Sequence, residues 1–97
     1  MARRLIDKDL IKKFADKDEI DVVYMAKSGD DEATLYLFRK YYPVIRSIAS
    51  NYFFMGSDRE DVFQEGMFGF YKAIRDFNQE KSISFSQFAR LCVSRQI

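Results

Sequence analysis

The chain has 97 residues, 47% of them hydrophobic, which is enough for one small domain burying about 60 to 65% of its unfolded surface. It has no His and a single Cys92, and no apolar run reaches a membrane span or follows a signal-peptide pattern; this excludes an internal disulfide and predicts a soluble, cytoplasmic protein with no membrane partner. The net charge is only +1, which taken alone argues against a free-standing nucleic-acid binder, because such domains are usually strongly basic.

One proline, four glycines, no Asn-Gly or Asp-Gly pair and no strand-like alternation predict an all-α chain, a compact bundle of about four to five helices. Residues 1–17 carry Leu5, Ile6, Leu10, Ile11 and Phe14 at helical spacing, so a short amphipathic helix is expected in an N-terminal extension that is either a mobile arm or a packed segment. Asp18 is placed to cap a helix over residues 19–27, with Ile20, Val23, Tyr24 and Ala26 inward and Gly29 as the stop. Asp30, Asp31 and Glu32 load the next N-terminus, and Leu35, Leu37, Phe38, Tyr41 and Tyr42 form its apolar side. Pro43 removes a donor and disfavours helical geometry at Tyr42, which predicts a kink or break. Ile45, Ile48, Ala49, Tyr52 and Phe53 would be the buried stripe of a new segment beyond it, and residues 55–57 a turn.

The stretch SDREDVFQEGMFGFYKAIRDF, residues 57–77, organises the rest. Ser57 stands three residues before Glu60, and Asp58, Glu60 and Asp61 crowd the first turn, where they satisfy orphan amides and the helix dipole. Phe63, Met67, Phe70, Ile74 and Phe77 return at helical spacing and are expected inside. The other face carries Asp61, Gln64, Glu65, Phe68, Tyr71 and Lys72. Gly66 and Gly69 lie mid-helix at a cost of roughly 1 kcal/mol each relative to Ala, which close helix packing would explain. After Phe77 a polar turn over residues 78–82 leads to a last helix capped by Ser84 or Ser86. Phe85, Phe88, Ala89, Cys92 and Val93 make its inward side, while Arg90, Ser94 and Arg95 point elsewhere. With no terminator at Arg95-Gln96-Ile97, this helix is expected to continue in a longer protein.

Charge alternates along the chain. Residues 1–32 carry seven basic and nine acidic groups, 33–56 three and none, 57–80 three and six, and 81–97 three and none. Such a pattern fits either an acidic patch for one partner and a basic end for another, or helices that pair with one another.

The run Asp61-Val62-Phe63-Gln64-Glu65-Gly66, with Gly69, Lys72-Ala73-Ile74 and Phe77, resembles the D-L-x-Q-E-G-x-x-G-L-x-K-A-x-x-x-F signature of region 2.2 in bacterial sigma-70 family sigma factors. Residues 38–53 resemble region 2.1, and Ser84-Phe85-Ser86-Gln87-Phe88-Ala89 looks like the F-S-x-[YF]-A start of region 2.3. The resemblance covers roughly residues 18–97 and looks closest to the sigma-H group associated with stationary phase and sporulation. It implies a helical region 2 domain over 18–97, truncated within region 2.4, that docks on the clamp helices of the β′ subunit of core RNA polymerase and helps to recognise and melt the minus-ten promoter element.

On the matching positions, the resemblance implies that Asp61, Gln64 and Glu65 meet the clamp, with Met67, Phe68 and Tyr71 supplying apolar contact. Phe85 and Phe88 would support or stack an unpaired base of the non-template strand, with Lys81, Arg90 and Arg95 as the basic groups beside it. Arg95 falls where the family begins to read the upstream edge of that element. Where primary factors carry a paired Trp, this chain has Leu91 and Cys92, which implies weaker melting and stricter promoter choice. An anti-sigma factor is a further possible partner.

Two other classes compete. Catalysis has no His, phosphate loop or metal spacing to rest on, so neither an enzyme, a cofactor nor a metal is expected, and Asp61 with Glu65 reads as an interface pair. A helical adaptor without DNA binding accounts for the acidic face and for the sixteen aromatics, most of which must be core, but leaves the basic C-terminal segment unexplained.

Overall fold

The structure is a computed structural model and describes residues 2–52, 58–81 and 83–97, with side chains from residue 8 onward. Helix α1 spans Ala2–Phe14, α2 Glu19–Lys27, α3 Asp31–Ser50, α4 Arg59–Asp76 and α5 Phe85–Gln96, and a 3-10 turn spans Gln79–Lys81. No strand occurs among the described residues, as the sequence predicts.

Local chemistry sets the boundaries of the short helices. Asp18 occupies the N-cap of α2 in an extended conformation without a side-chain bond. Gly29, at a φ of 108°, ends the same helix in the left-handed region that only glycine enters freely. Its amide donates to the Ala26 carbonyl at 3.0 Å and the Asp30 amide donates to Met25 at 3.0 Å, the paired bonds of a Schellman stop. Asp30 then caps α3 by accepting from the Ala33 amide at 3.1 Å. Asp58 caps α4, accepting from Glu60; the proposed cap Ser57 and the turn before it lie outside the described residues, as does Phe53. Ser84 caps α5 in a capping box closed by Gln87.

Helix α3 is the spine of the core. Ala33, Leu37, Tyr41, Ile45 and Ala49 are all buried and recur every fourth residue, so one unbroken stripe faces inward from end to end. The helix does not break at Pro43. Proline is exposed here, and the carbonyl its missing N–H would have met, that of Arg39, lies on the same exposed side, so burial of the opposite stripe holds the helix through it. Leu35 and Tyr42, expected inside, are exposed, because the true stripe runs about a third of a turn away from them, and Tyr52, also expected inside, is exposed in the turn beyond the end of α3.

The centre of the molecule is aromatic. Phe70 of α4 packs against Phe38 and Tyr41 of α3 with ring centroids 4.8 and 5.1 Å away, and against Phe85 of α5 at 5.8 Å. Phe85 reaches Phe77 at 5.4 Å, and Phe77 in turn meets Phe88 at 5.9 Å. These tilted and edge-on arrangements suit ring quadrupoles. Phe70, Ile74 and Phe77 are therefore core, as expected, whereas Phe63 and Met67 sit at its margin, half-buried. Phe63 lies over the side of α3, 5.2 Å from the ring of Tyr42 and beneath the Arg46 guanidinium at 4.7 Å.

Helix α1 joins this core rather than standing free. Leu10 and Phe14 are buried, Phe14 packs on Tyr36 of α3, and Lys13 pairs with Glu32. Ile11 is exposed, and the side chains of Leu5 and Ile6 are outside the described set. Helix α2 is tied at both ends. Glu19 accepts from the Tyr41 hydroxyl at 2.9 Å and from Lys40 at 2.8 Å, while Lys27 donates to the Phe77 carbonyl at 2.7 Å. Val22, Val23 and Ala26 face the core; Ile20 and Tyr24 are only half-buried, with the Tyr24 hydroxyl accepting from the Gln79 amide at 2.9 Å.

Candidate functional site

Two glycines decide which way α4 faces. A Cβ on Gly69 would come within 2.7 Å of the Cys92 carbonyl oxygen, 2.8 Å of Gln96 Cβ and 3.0 Å of Val93 Cα, so α4 and α5 touch backbone to backbone there. A Cβ on Gly66 would meet Ile45 Cγ2 of α3 at 3.0 Å. Between them the glycines seat α4 against both neighbours and turn its opposite side to solvent. That outward side carries Asp61, Gln64, Glu65, Phe68 and Tyr71, all exposed. Phe68 is 53% and Tyr71 50% accessible, high values for rings in a molecule whose other α4 aromatics are buried or half-buried. Met67 stands at the edge of the same face, half-buried.

The face does not stop at α4. Leu35, Phe38, Tyr42 and Pro43 of α3 line an apolar groove together with Met67 and Arg39. Leu35 and Tyr42 on its rim are exposed, so acid, amide and apolar groups form one surface across two helices. The sequence pattern hides this groove, since apolar residues on α3 read as core wherever they fall.

Several groups on the face are held in place. Lys72 lies over the Phe68 ring at 5.0 Å and donates to Gln96 Oε1 at 2.9 Å, and Gln96 Nε2 donates to Glu65 Oε1 at 2.9 Å. The amide orientation is fixed by its neighbours, because an ammonium only donates and a carboxylate only accepts. Gln96 belongs to α5 and was no part of the expected site; nothing in its spacing marks it.

The second expected set is less concentrated. Phe85 is 2% exposed, packed between Phe70, Phe77 and Tyr41, so of the two roles expected for it only support from beneath fits this structure. Phe88 is half-buried against Phe77 and keeps part of its ring outside. Arg95, seven residues on, shares its stripe, as does Leu91, which is 40% exposed. Arg90 and Lys81 are also exposed, but Arg90 stands roughly 140° round the helix from Arg95, so the structure does not gather the three cations beside Phe88. Cys92 is half-buried, and burial pushes its thiol up, away from a reactive thiolate. Among the described residues no group of three His, Cys, Asp or Glu is placed to hold a metal ion, and no helix is long and apolar enough to cross a membrane.

The family profile described as Sigma-70 region 2 matches residues 37–97, which take in most of α3 and all of α4 and α5. The chain belongs to the sigma-70 family. It is 46% identical over 86 residues to the RNA polymerase sigma-H factor of Bacillus licheniformis and 45% identical over the same length to that of Bacillus subtilis, in each case covering 89% of this chain. A more distant relative is the RNA polymerase sigma factor SigA of a Bacillus species, 31% identical over 80 residues, or 82% of this chain. The chain spans only 39% of the length of the two sigma-H factors and 21% of that SigA. No solved structure matches it. Within this sigma-70 region 2, the outward face of α4 and the Phe88 stripe of α5 both fall inside the matched segment, and α1 and α2 precede it.

Proposed function

We propose that this chain is the region 2 part of a cytoplasmic alternative sigma factor, non-catalytic, that binds core RNA polymerase and takes part in recognising and melting the minus-ten promoter element. Residues 18–97 would form the region 2 unit, with 1–17 as an extension packed on it. The observation that carries the reading is the outward face of α4, where Asp61, Gln64 and Glu65 adjoin two half-exposed rings, Phe68 and Tyr71. Of the other two α4 aromatics, Phe70 is buried and Phe63 half-buried, so Phe68 and Tyr71 stand out as rings turned away from the core. An acidic rim around exposed aromatic rings is the composition of a protein-binding surface whose partner is basic at its edge and apolar at its centre. Clamp helices of β′ are the partner that resemblance to region 2 implies. The groove of Leu35, Tyr42 and Met67 would extend the contact onto α3.

On α5, the partly open ring of Phe88, with Leu91 and Arg95 along its stripe, would receive a base from the non-template strand. The sparse cations there favour a second reading, an adaptor that binds protein without DNA. An anti-sigma factor would compete for the α4 face. The test is a titration of purified core polymerase with the labelled chain, followed by addition of non-template oligonucleotide. Saturable polymerase binding with added preference for that strand is the expected result. Polymerase binding without any DNA preference would select the adaptor, and no polymerase binding would overturn both.

A further inference from the structure

We infer that Gln96 is a positioning residue for the polymerase-facing surface, holding Glu65 and, through Lys72, Phe68 in the conformation that a partner meets. The inference rests on the polymerase reading above and adds to it a residue from the other helix. Glu65 is an exposed glutamate, and such a side chain ordinarily samples many rotamers that binding must freeze. Here one carboxylate oxygen accepts from Gln96 Nε2 at 2.9 Å. The same amide offers its oxygen to Lys72 at 2.9 Å, and the Lys72 ammonium lies 5.0 Å from the centre of the Phe68 ring. Glu65, Phe68 and Lys72 follow one another along α4, and Gln96 closes them into a loop from α5.

The fold makes room for this contact at a specific place. Gln96 Cβ stands 2.8 Å from where a Cβ of Gly69 would be, so any side chain at residue 69 would push Gln96 off its two partners. An amide suits the role because its NH2 is a donor for the carboxylate and its separate oxygen an acceptor for the ammonium. The consequence is that the polymerase face is set partly by α5, the helix that carries Phe88 and Arg95.

A double-mutant cycle on core polymerase affinity tests this, using Gln96→Ala, Glu65→Ala and the double variant of the 97-residue chain, with thermal melts to confirm equal folding. Gln96→Ala is expected to weaken binding about three- to ten-fold, the cost of ordering one or two freed side chains, and to have little further effect once Glu65 is Ala. Gln96→Glu, which keeps the Lys72 contact but repels Glu65, is expected to weaken it at least as much. Equal loss from Gln96→Ala in both backgrounds, or no loss while Glu65→Ala does weaken binding, overturns the positioning role and leaves the polymerase reading standing. No binding by the unsubstituted chain overturns the polymerase reading, and the positioning role with it.

Discussion

Gly69 and Gly66 show how one kind of residue meets two different constraints a turn apart. At Gly69 the obstacle to a side chain is backbone, the Cys92 carbonyl at 2.7 Å, and backbone of a packed helix cannot step aside. At Gly66 it is the end of the Ile45 side chain at 3.0 Å, which can give by a few tenths of an ångström. Gly69→Ala should therefore destabilise by about 1 to 2 kcal/mol, overpacking outweighing a helix-propensity gain of roughly 1 kcal/mol. Gly66→Ala should be close to neutral, and thermal melts of the two variants check the contrast. Equal melting temperatures would mean that α4 and α5 are not in backbone contact. The sequence makes it legible that these glycines serve close packing, but not against which helix, because glycine carries no side chain to pattern. The same limit hides Gln96: a lone amide near a helix end looks like any solvated polar residue until its two partners are known.

Among the elements, those whose ends are written in capping chemistry are the most legible. Asp18, Gly29, Asp30 and Ser84 mark real boundaries, three helix starts and one stop, whereas α4 is capped by Asp58, a residue expected inside its first turn. Of the kink or break expected at Pro43, the break does not occur, because proline's local cost of about 3 kcal/mol competes with a stripe of five buried residues that only a continuous α3 can present. Apolar content also misleads about sides. Leu35, Tyr42 and Phe63 belong to the correct helices yet lie at or beyond the core margin, since helical spacing tolerates two adjacent stripes and only packing selects one. This separates two substitutions that the sequence treats alike. Phe70→Ala, at the meeting point of three helices, should cost about 3 to 5 kcal/mol and unfold most of the domain, whereas Phe63→Ala at the margin should cost about 1 to 2 kcal/mol. Thermal or urea melts distinguish them, and equal losses would place Phe63 in the core after all.

For the whole molecule, the alternating charge along the chain resolves into surfaces. Part of it is pairing between segments, as between Lys40 and Glu19, and the rest leaves an acidic α4 face and a thinly basic α5. With Lys81, Arg90 and Arg95 spread around the molecule, the isolated chain should bind duplex DNA weakly and with a shallow salt dependence. A preference for non-template single strand should emerge once the chain is bound to core polymerase. Phe88→Ala should then remove that preference at one base, and Phe88→Tyr should keep it, because stacking needs the ring. Anisotropy of labelled oligonucleotides across a salt series reads this, and identical binding by Phe88→Ala would make Phe88 a core residue only.

Docking of polymerase on the outward face of α4 is read from the core polymerase affinity of the Glu65→Lys chain beside that of the unsubstituted one. Glu65 is exposed, so the reversal should leave circular dichroism and melting nearly unchanged. Against a basic partner it should weaken binding by about ten-fold or more through repulsion and loss of a complementary charge. A Tyr52→Ala variant, an exposed aromatic outside α4 and outside the lining of the α3 groove, should bind as the unsubstituted chain does. Unchanged affinity for Glu65→Lys, with both chains equally folded, would show that polymerase docks elsewhere.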